Sequence, residues 1–183
     1  MRAVLDTCVI YPTVMREVLL GVAATGAFTP LWSERILEEW ARAAIKLGPE
    51  GEAQARGEAA MLGARWPDAR VAWKPSLEAR LWLPDPADVH VLAAAVAGSA
   101  DVIVTLNAKD FPRNVLAEEG VSRADPDAFL IGFWAADQVG VEAVVRDVLD
   151  EARQLSGQDW SARGLMKKAR LPRLGKAVAA RLE

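Results

Sequence analysis

Short apolar runs that end on polar residues alternate, through the first two thirds of the chain, with longer segments whose apolar positions recur every three or four residues. Arg2-Ala3-Val4-Leu5 stops at Asp6-Thr7 and predicts a buried strand that delivers polar side chains at its C-terminal end. Pro12-Thr13 opens a segment with Val14, Leu19, Leu20 and Val22 at helical spacing, ending near Gly26. Phe28-Thr29-Pro30-Leu31-Trp32 predicts a second strand. Ser33 then reads as the N-cap of a helix carrying Ile36, Leu37, Trp40 and Ala44, stopped by Gly48-Pro49. Residues 50–65, rich in Ala and Glu, predict a further helix, and residues 70–73 an edge strand. Pro86 to Ala97 predicts a helix with a long alanine and valine face, ended by Gly98. Residues 101–106 predict another buried strand, with a turn over 107–112 at its end. Beyond Pro126 the pattern is helical throughout, over about 127–136, 139–155 and 160–182, with a break at Pro172.

All-apolar strands alternating with helices indicate an α/β fold with a parallel sheet, because strands covered on both faces have no polar side. The pattern divides the chain into an α/β domain over residues 1–125 and a helical extension over 126–183, packed on or beside it. At 183 residues and 52% hydrophobic, the chain buries a core without staples. Its single cysteine, Cys8, excludes an internal disulfide and fits a reducing compartment. The apolar run before Asp6 is too short for a signal peptide, and no stretch approaches the roughly 20 apolar residues of a membrane span, so the expectation is a cytoplasmic protein with no membrane partner.

The formal net charge of −3 is unevenly spread. From Arg163 onward seven basic residues face one acid, a net of +6, which leaves −9 in the rest of the chain. An acidic body with a basic tail suits a metal pocket beside a phosphate-binding surface; the plain alternative for the tail is a solvated helix face.

In an open parallel sheet, ligands bind beyond the carboxyl ends of the strands. Asp6 ends the first strand, and Asn107 and Asp110 follow the strand at 101–106. Glu38 and Glu39 lie on the helix after the second strand, and Asp85 and Asp88 in the first turn of the helix at 86–97. Converging carboxylates repel one another unless a cation fills the space between them, and oxygen ligands suit Mg²⁺ or Mn²⁺. Phosphodiester hydrolysis is the reaction class such ions serve. Each residue also has a plain reading. Asp6 is a turn cap, Glu39 a solvated helix acid, Asp85 the N-cap before Pro86, Asn107 a turn former, Asp110 a cap for the next segment. His90 reads as a half-buried packing residue and Cys8 as a small apolar group. Helical spacing from Ile36 favours Glu39 over Glu38, weakly.

Taken in order, four segments resemble the motifs of PIN-domain proteins, which include the VapC-type toxins of bacterial toxin–antitoxin pairs. They are Val4-Leu5-Asp6-Thr7-Cys8-Val9-Ile10-Tyr11-Pro12, Ser33-Glu34-Arg35-Ile36-Leu37-Glu38-Glu39-Trp40, Asp85-Pro86-Ala87-Asp88-Val89-His90-Val91-Leu92-Ala93-Ala94-Ala95, and Val102-Ile103-Val104-Thr105-Leu106-Asn107-Ala108-Lys109-Asp110-Phe111-Pro112. The resemblance implies a three-layer α/β/α fold and Mg²⁺- or Mn²⁺-dependent endoribonuclease activity. Asp6, Glu39 and Asp88 would be the catalytic and metal-site acids. The family's fourth acid falls at Asn107, where an amide oxygen or the nearby Asp110 would substitute. Cys8 stands where many members have asparagine. Thr7 or Thr105 would position water or phosphate. Arg163, Lys167, Lys168, Arg170 and Arg173 offer contacts to RNA or to an antitoxin protein. Phe133 and Trp134, read as exposed, offer apolar surface for a homodimer. Two other readings stand beside this one: a non-catalytic module binding RNA or protein, and a phosphatase using Asp6 as nucleophile. The latter needs a second aspartate two residues on, where Cys8 sits.

Overall fold

The structure, a computed structural model, describes residues 1–182. In chain order its elements are β1 (Arg2–Leu5), α1 (Thr7–Ile10), α2 (Thr13–Ala24), β2 (Thr29–Ser33), α3 (Glu34–Ala43), α4 (Gly51–Arg65), β3 (Arg70–Val71), α5 (Pro75–Arg80), α6 (Val89–Ala97), β4 (Val102–Val104), α7 (Arg113–Glu118), β5 (Ser122–Ala124), α8 (Pro126–Ala136), α9 (Gln138–Ser156), α10 (Ala162–Lys168) and α11 (Pro172–Leu182). Chain contacts group them into two compact units, one of Met1–Tyr11 with Thr29–Ala124, the other of Pro12–Phe28 with Asp125–Glu183.

The first unit is the α/β fold that the alternation predicts, a five-stranded sheet in the order β3-β2-β1-β4-β5 with every pairing parallel. Val4, Leu5, Leu31, Ile103 and Val104 are fully buried, as expected of strands covered on both faces. Each such side chain contributes about 1.5–3 kcal/mol of burial. From Val89 to Ala95 every residue of α6 is buried. Its alanines permit close approach to the sheet, and a Cβ at Gly98 would come within 2.9 Å of Leu31 Cδ1 and 3.1 Å of Val71 Cγ2. The chain builds β2 and β3 on one side of β1, then returns to build β4 and β5 on the other. The strand order therefore reverses between β1 and β4, and Leu5 pairs with Val104 at their carboxyl ends.

The second unit is helical. Its segment Pro12–Phe28 clusters with the helices after Asp125, so the division is not the single cut at residue 125 that the sequence pattern suggests. The reason is packing: α2 lies against α9 closely enough that a Cβ at Gly21 would overlap Val144, and Phe28 joins Phe129 and Phe133 in an aromatic cluster with centroids 4.9–5.5 Å apart. Phe133 and Trp134 are thus half-buried, not exposed, and the Trp134 indole N–H donates to Glu142 at 3.2 Å. Both side chains thus make contacts within the unit. Buried Asp127 accepts the backbone N–H groups of Arg173 and Leu174 at 2.8 and 2.9 Å and so caps α11. Among the described residues no helix is long and apolar enough to cross a membrane.

Candidate active site

The carboxyl ends of β1 and β4, where the strand order reverses, are where an open parallel sheet offers a crevice. Asp6 follows β1 there. It stands at the N-cap of α1, yet its side chain makes no capping bond. Its carboxylate is turned to β4 instead: Oδ2 accepts the Thr105 hydroxyl at 2.6 Å and the Cys8 thiol at 3.1 Å. The turn-cap reading of Asp6 therefore fails. Both bonds fall on Oδ2, so Oδ1 is the oxygen that neither hydroxyl nor thiol occupies.

Cys8 is more than a small apolar group. Its sulfur also accepts the Leu106 backbone N–H at 3.2 Å, tying the start of α1 to the end of β4. Burial, and then the negative charge of Asp6, push its thiol up to about 12. Thr105 is buried, donates to Asp6 and accepts the Asn107 backbone N–H at 2.9 Å. Thr7 donates to Glu39 Oε2 at 2.9 Å. The protons of both hydroxyls are directed at acids, so each threonine stands as an orienter of a carboxylate.

Asp88 closes the single 3₁₀ turn Pro86–Asp88 that precedes α6. Asp85 caps that turn as expected, accepting the Ala87 N–H at 2.9 Å. It also belongs to the tightest acid group: Asp85, Asp88 and Asp110 each offer a carboxylate oxygen, all within 4.8 Å of one another. Asp6 and Glu39 lie outside that trio. Burial pushes the Asp88 carboxyl up to about 6, with the charges of Asp6, Asp85 and Asp110 adding to it. Asn107 turns its amide nitrogen to Asp88 Oδ2 at 3.2 Å, so the fourth-acid position presents a donor to the acid beside it.

The paired glutamates point in different directions. Glu38 points to Arg56 and Arg42, whose hydrogen bonds hold its carboxyl down to about 2. Glu39 points to the site. Burial would raise its carboxyl, but the imidazole of His90, the Thr7 hydroxyl and the Arg35 guanidinium outweigh burial and hold it below its ordinary value. His90 is wholly buried, not half-buried, and its Nε2 lies 2.8 Å from Glu39 Oε1. That approach lies off the line of the ring N–H, so it is close without being an aligned hydrogen bond.

Asp6, Asp88, Asn107 and Asp110, with Asp85, are thus assembled around the carboxyl edge, and Glu39 is joined to them through Thr7 and His90. The basic residues Arg163, Lys167, Lys168, Arg170 and Arg173 are exposed and belong to the second unit, where Lys168 Nζ lies 4.7 Å over the Trp160 ring. Sequence reasoning missed the polar roles of Cys8 and His90 and the place of Asp85 in the trio. The available signal was spacing: Cys8 and His90 each stand two residues from a site acid.

The donor set fits a hard divalent cation. It consists of carboxylate oxygens and an amide, and burial together with the like charges leaves Asp88 reluctant to ionise until positive charge is supplied.

A parallel α/β sheet with acids collected at its switch point defines the class, and the chain belongs to the PIN-domain family, whose model matches residues 2–109, more than half of the chain. A stretch of 63 residues is 40% identical to "Putative ribonuclease VapC50" of Mycobacterium tuberculosis (strain ATCC 25618 / H37Rv). That match covers 34% of this chain and 37% of the relative, so the chain spans little more than a third of the relative's length. No solved structure matches the chain.

Proposed function

We propose that the chain is a Mg²⁺- or Mn²⁺-dependent endoribonuclease that hydrolyses RNA phosphodiester bonds. The observation that carries this reading is the approach of acids from three separate chain segments, Asp6, Asp85 with Asp88, and Asp110, with Asp88 pushed up to about 6 by its burial and these neighbours. Asp6, Glu39 and Asp88 would hold the ion, aided by Asp110 and Asp85. When bound, the ion supplies Lewis-acid activation of water and offsets charge building on the phosphate.

The protein's own part is orientation. Thr105 and Cys8 hold Asp6 by one oxygen and leave the other toward the site. Thr7 fixes Glu39 from the residue next to Asp6. Asp88, whose carboxyl is pushed up to about 6 by burial and then by its acidic neighbours, is the acid that gains most from a cation's charge. The nuclease chemistry is assigned to the parallel-sheet unit, Met1–Tyr11 with Thr29–Ala124. The basic residues from Arg163 to Arg173 are assigned to contact RNA or a protein antitoxin, and the protein acts in the cytoplasm as the toxin of a two-gene pair. The family membership and the ribonuclease name of the partial relative support this reading.

A non-catalytic binding module is the second reading. It is favoured by the Asn107 amide, which places a neutral donor on Asp88 where an acid would strengthen cation binding. RNA cleavage with and without Mn²⁺ separates the two. The nuclease reading expects Mn²⁺-dependent products from the wild type and none from Asp6→Asn or Asp88→Asn. Full cleavage by both variants refutes the assignment, and an inert wild type favours the binding module.

A further inference from the structure

Helix α6 runs Val-His-Val-Leu-Ala-Ala-Ala-Val-Ala, and within its buried stretch His90 alone carries a polar side chain. Burying an imidazole is costly unless a polar partner compensates, and an apolar residue of similar volume there would be neutral or stabilising. The polar contact that His90 does make is at a site carboxylate: Nε2 faces Glu39 Oε1 at 2.8 Å. A carboxylate oxygen at that distance is attracted by a ring N–H and repelled by a bare ring nitrogen, so the contact suits the tautomer with its proton on Nε2. Both ring nitrogens are buried; Nδ1 has no hydrogen-bond partner among the described residues, and Nε2 has the close approach to Glu39 in place of an aligned hydrogen bond.

The placement explains what the contact does. His90 stands two residues beyond Asp88, on the helix that Asp88 opens. Glu39 Oε2 is held by Thr7, the residue after Asp6. The carboxylate of Glu39 therefore accepts a hydrogen bond on one oxygen from the segment that carries Asp6, and on the other meets the imidazole of the segment that carries Asp88. Rotation of the Glu39 side chain would lose one contact or the other.

We infer that His90 is a positioning residue, which fixes the Glu39 carboxylate relative to Asp6 and Asp88 by holding Oε1 from within the core. The inference rests on the proposed metal-dependent reading for its consequence but not for its geometry. Partners that orient a metal-binding group are worth about 10–100-fold in metal affinity.

His90 is the only histidine in the chain, so its ring nitrogens give unambiguous signals in long-range ¹H–¹⁵N spectra of the full-length, metal-free protein. The expected result is a protonated Nε2 whose resonance moves on Glu39→Gln and stays in place on Glu38→Gln. Mn²⁺ titration followed by electron paramagnetic resonance then compares wild type, His90→Leu and His90→Gln. His90→Leu should bind Mn²⁺ about 10–100-fold more weakly, and His90→Gln, which keeps an N–H donor, should recover most of that loss. Ring nitrogens blind to Glu39→Gln, or a folded His90→Leu that binds Mn²⁺ as tightly as wild type, overturn the inference. A wild type that binds no Mn²⁺ overturns the nuclease reading instead, and the response of the imidazole to Glu39→Gln alone then decides the positioning contact.

Discussion

Replacing Asp88 with asparagine should stabilise the metal-free protein while abolishing its chemistry. The folded protein raises this carboxyl from 3.8 to about 6, through burial and then the charges of Asp6, Asp85 and Asp110. At about 1.36 kcal/mol per unit the full shift would correspond to about 3 kcal/mol. Asp88 is partly open to solvent, and screening reduces this to about 1 kcal/mol. The sign follows from proton binding. The folded state keeps the proton to higher pH than the unfolded state, so stability is greatest below 3.8 and is lost as pH rises to about 6. Above that window the ionised Asp88 remains a constant penalty. The substituted asparagine would carry no charge and could still accept the Asn107 amide through its own oxygen. At pH 7.5 in EDTA, Asp88→Asn should therefore melt about 2–4 °C above the wild type, the shift expected of about 1 kcal/mol in a chain of this length. The advantage should shrink steadily as pH falls through 6. Saturating Mn²⁺ should reverse the order, because an ion at about 100 times its Kd stabilises only the form that binds it, by about 2.7 kcal/mol. Thermal unfolding by circular dichroism reads all three arms. A variant that melts at or below the wild type at pH 7.5, or an advantage that does not change with pH, would refute the electrostatic reasoning.

Thr105→Val keeps the shape of a buried side chain but removes a hydrogen bond to the Asp6 carboxylate and an acceptor for Asn107; a loss of about 2 kcal/mol is expected in urea denaturation. Cys8, with its thiol pushed up to about 12, should react with iodoacetamide at pH 8 at least about 100-fold more slowly than an unperturbed cysteine, as read by mass spectrometry of the intact protein. Glu38→Gln removes a half-buried partner of Arg56 and should leave RNA cleavage near the wild-type rate, whereas Glu39→Gln should lower kcat/KM by about 100-fold or more. Equal losses in the two glutamine variants would contradict the orientation assigned to the pair.

Much of the fold is legible in the chain because its strands are short and all apolar. Val4, Leu31 and Ile103 have no polar alternation, and that pattern is compatible only with a sheet covered on both faces. Edge and connecting elements are not legible in the same way. The strand Ser122–Ala124 is half-exposed and polar, and is held by parallel pairing to Val102–Val104, a long-range fact that no local pattern encodes. The short helices Thr7–Ile10, Pro75–Arg80 and Arg113–Glu118 are likewise fixed by their surroundings. At the site, Asp6 is visible as an acid at a strand end, Asp88 at a helix start and Glu39 within a helix that follows a strand. Their partners are hidden, because His90 in an alanine-rich helix and Cys8 in an apolar run look like core residues until the third dimension brings Glu39 and Leu106 to them. The grouping of Pro12–Phe28 with the C-terminal helices is also tertiary, since it depends on Gly21 admitting Val144 and on three phenylalanines meeting.

The account depends most on the acids at the β1–β4 edge acting together on one divalent ion, and calorimetric titration of the purified chain with Mn²⁺ tests this without any assumption about substrate. Saturable binding by the wild type, lost in both Asp6→Asn and Asp88→Asn while each variant still unfolds cooperatively, is the predicted result. Heats indistinguishable from dilution in the wild type, or undiminished binding in the two variants, would contradict it.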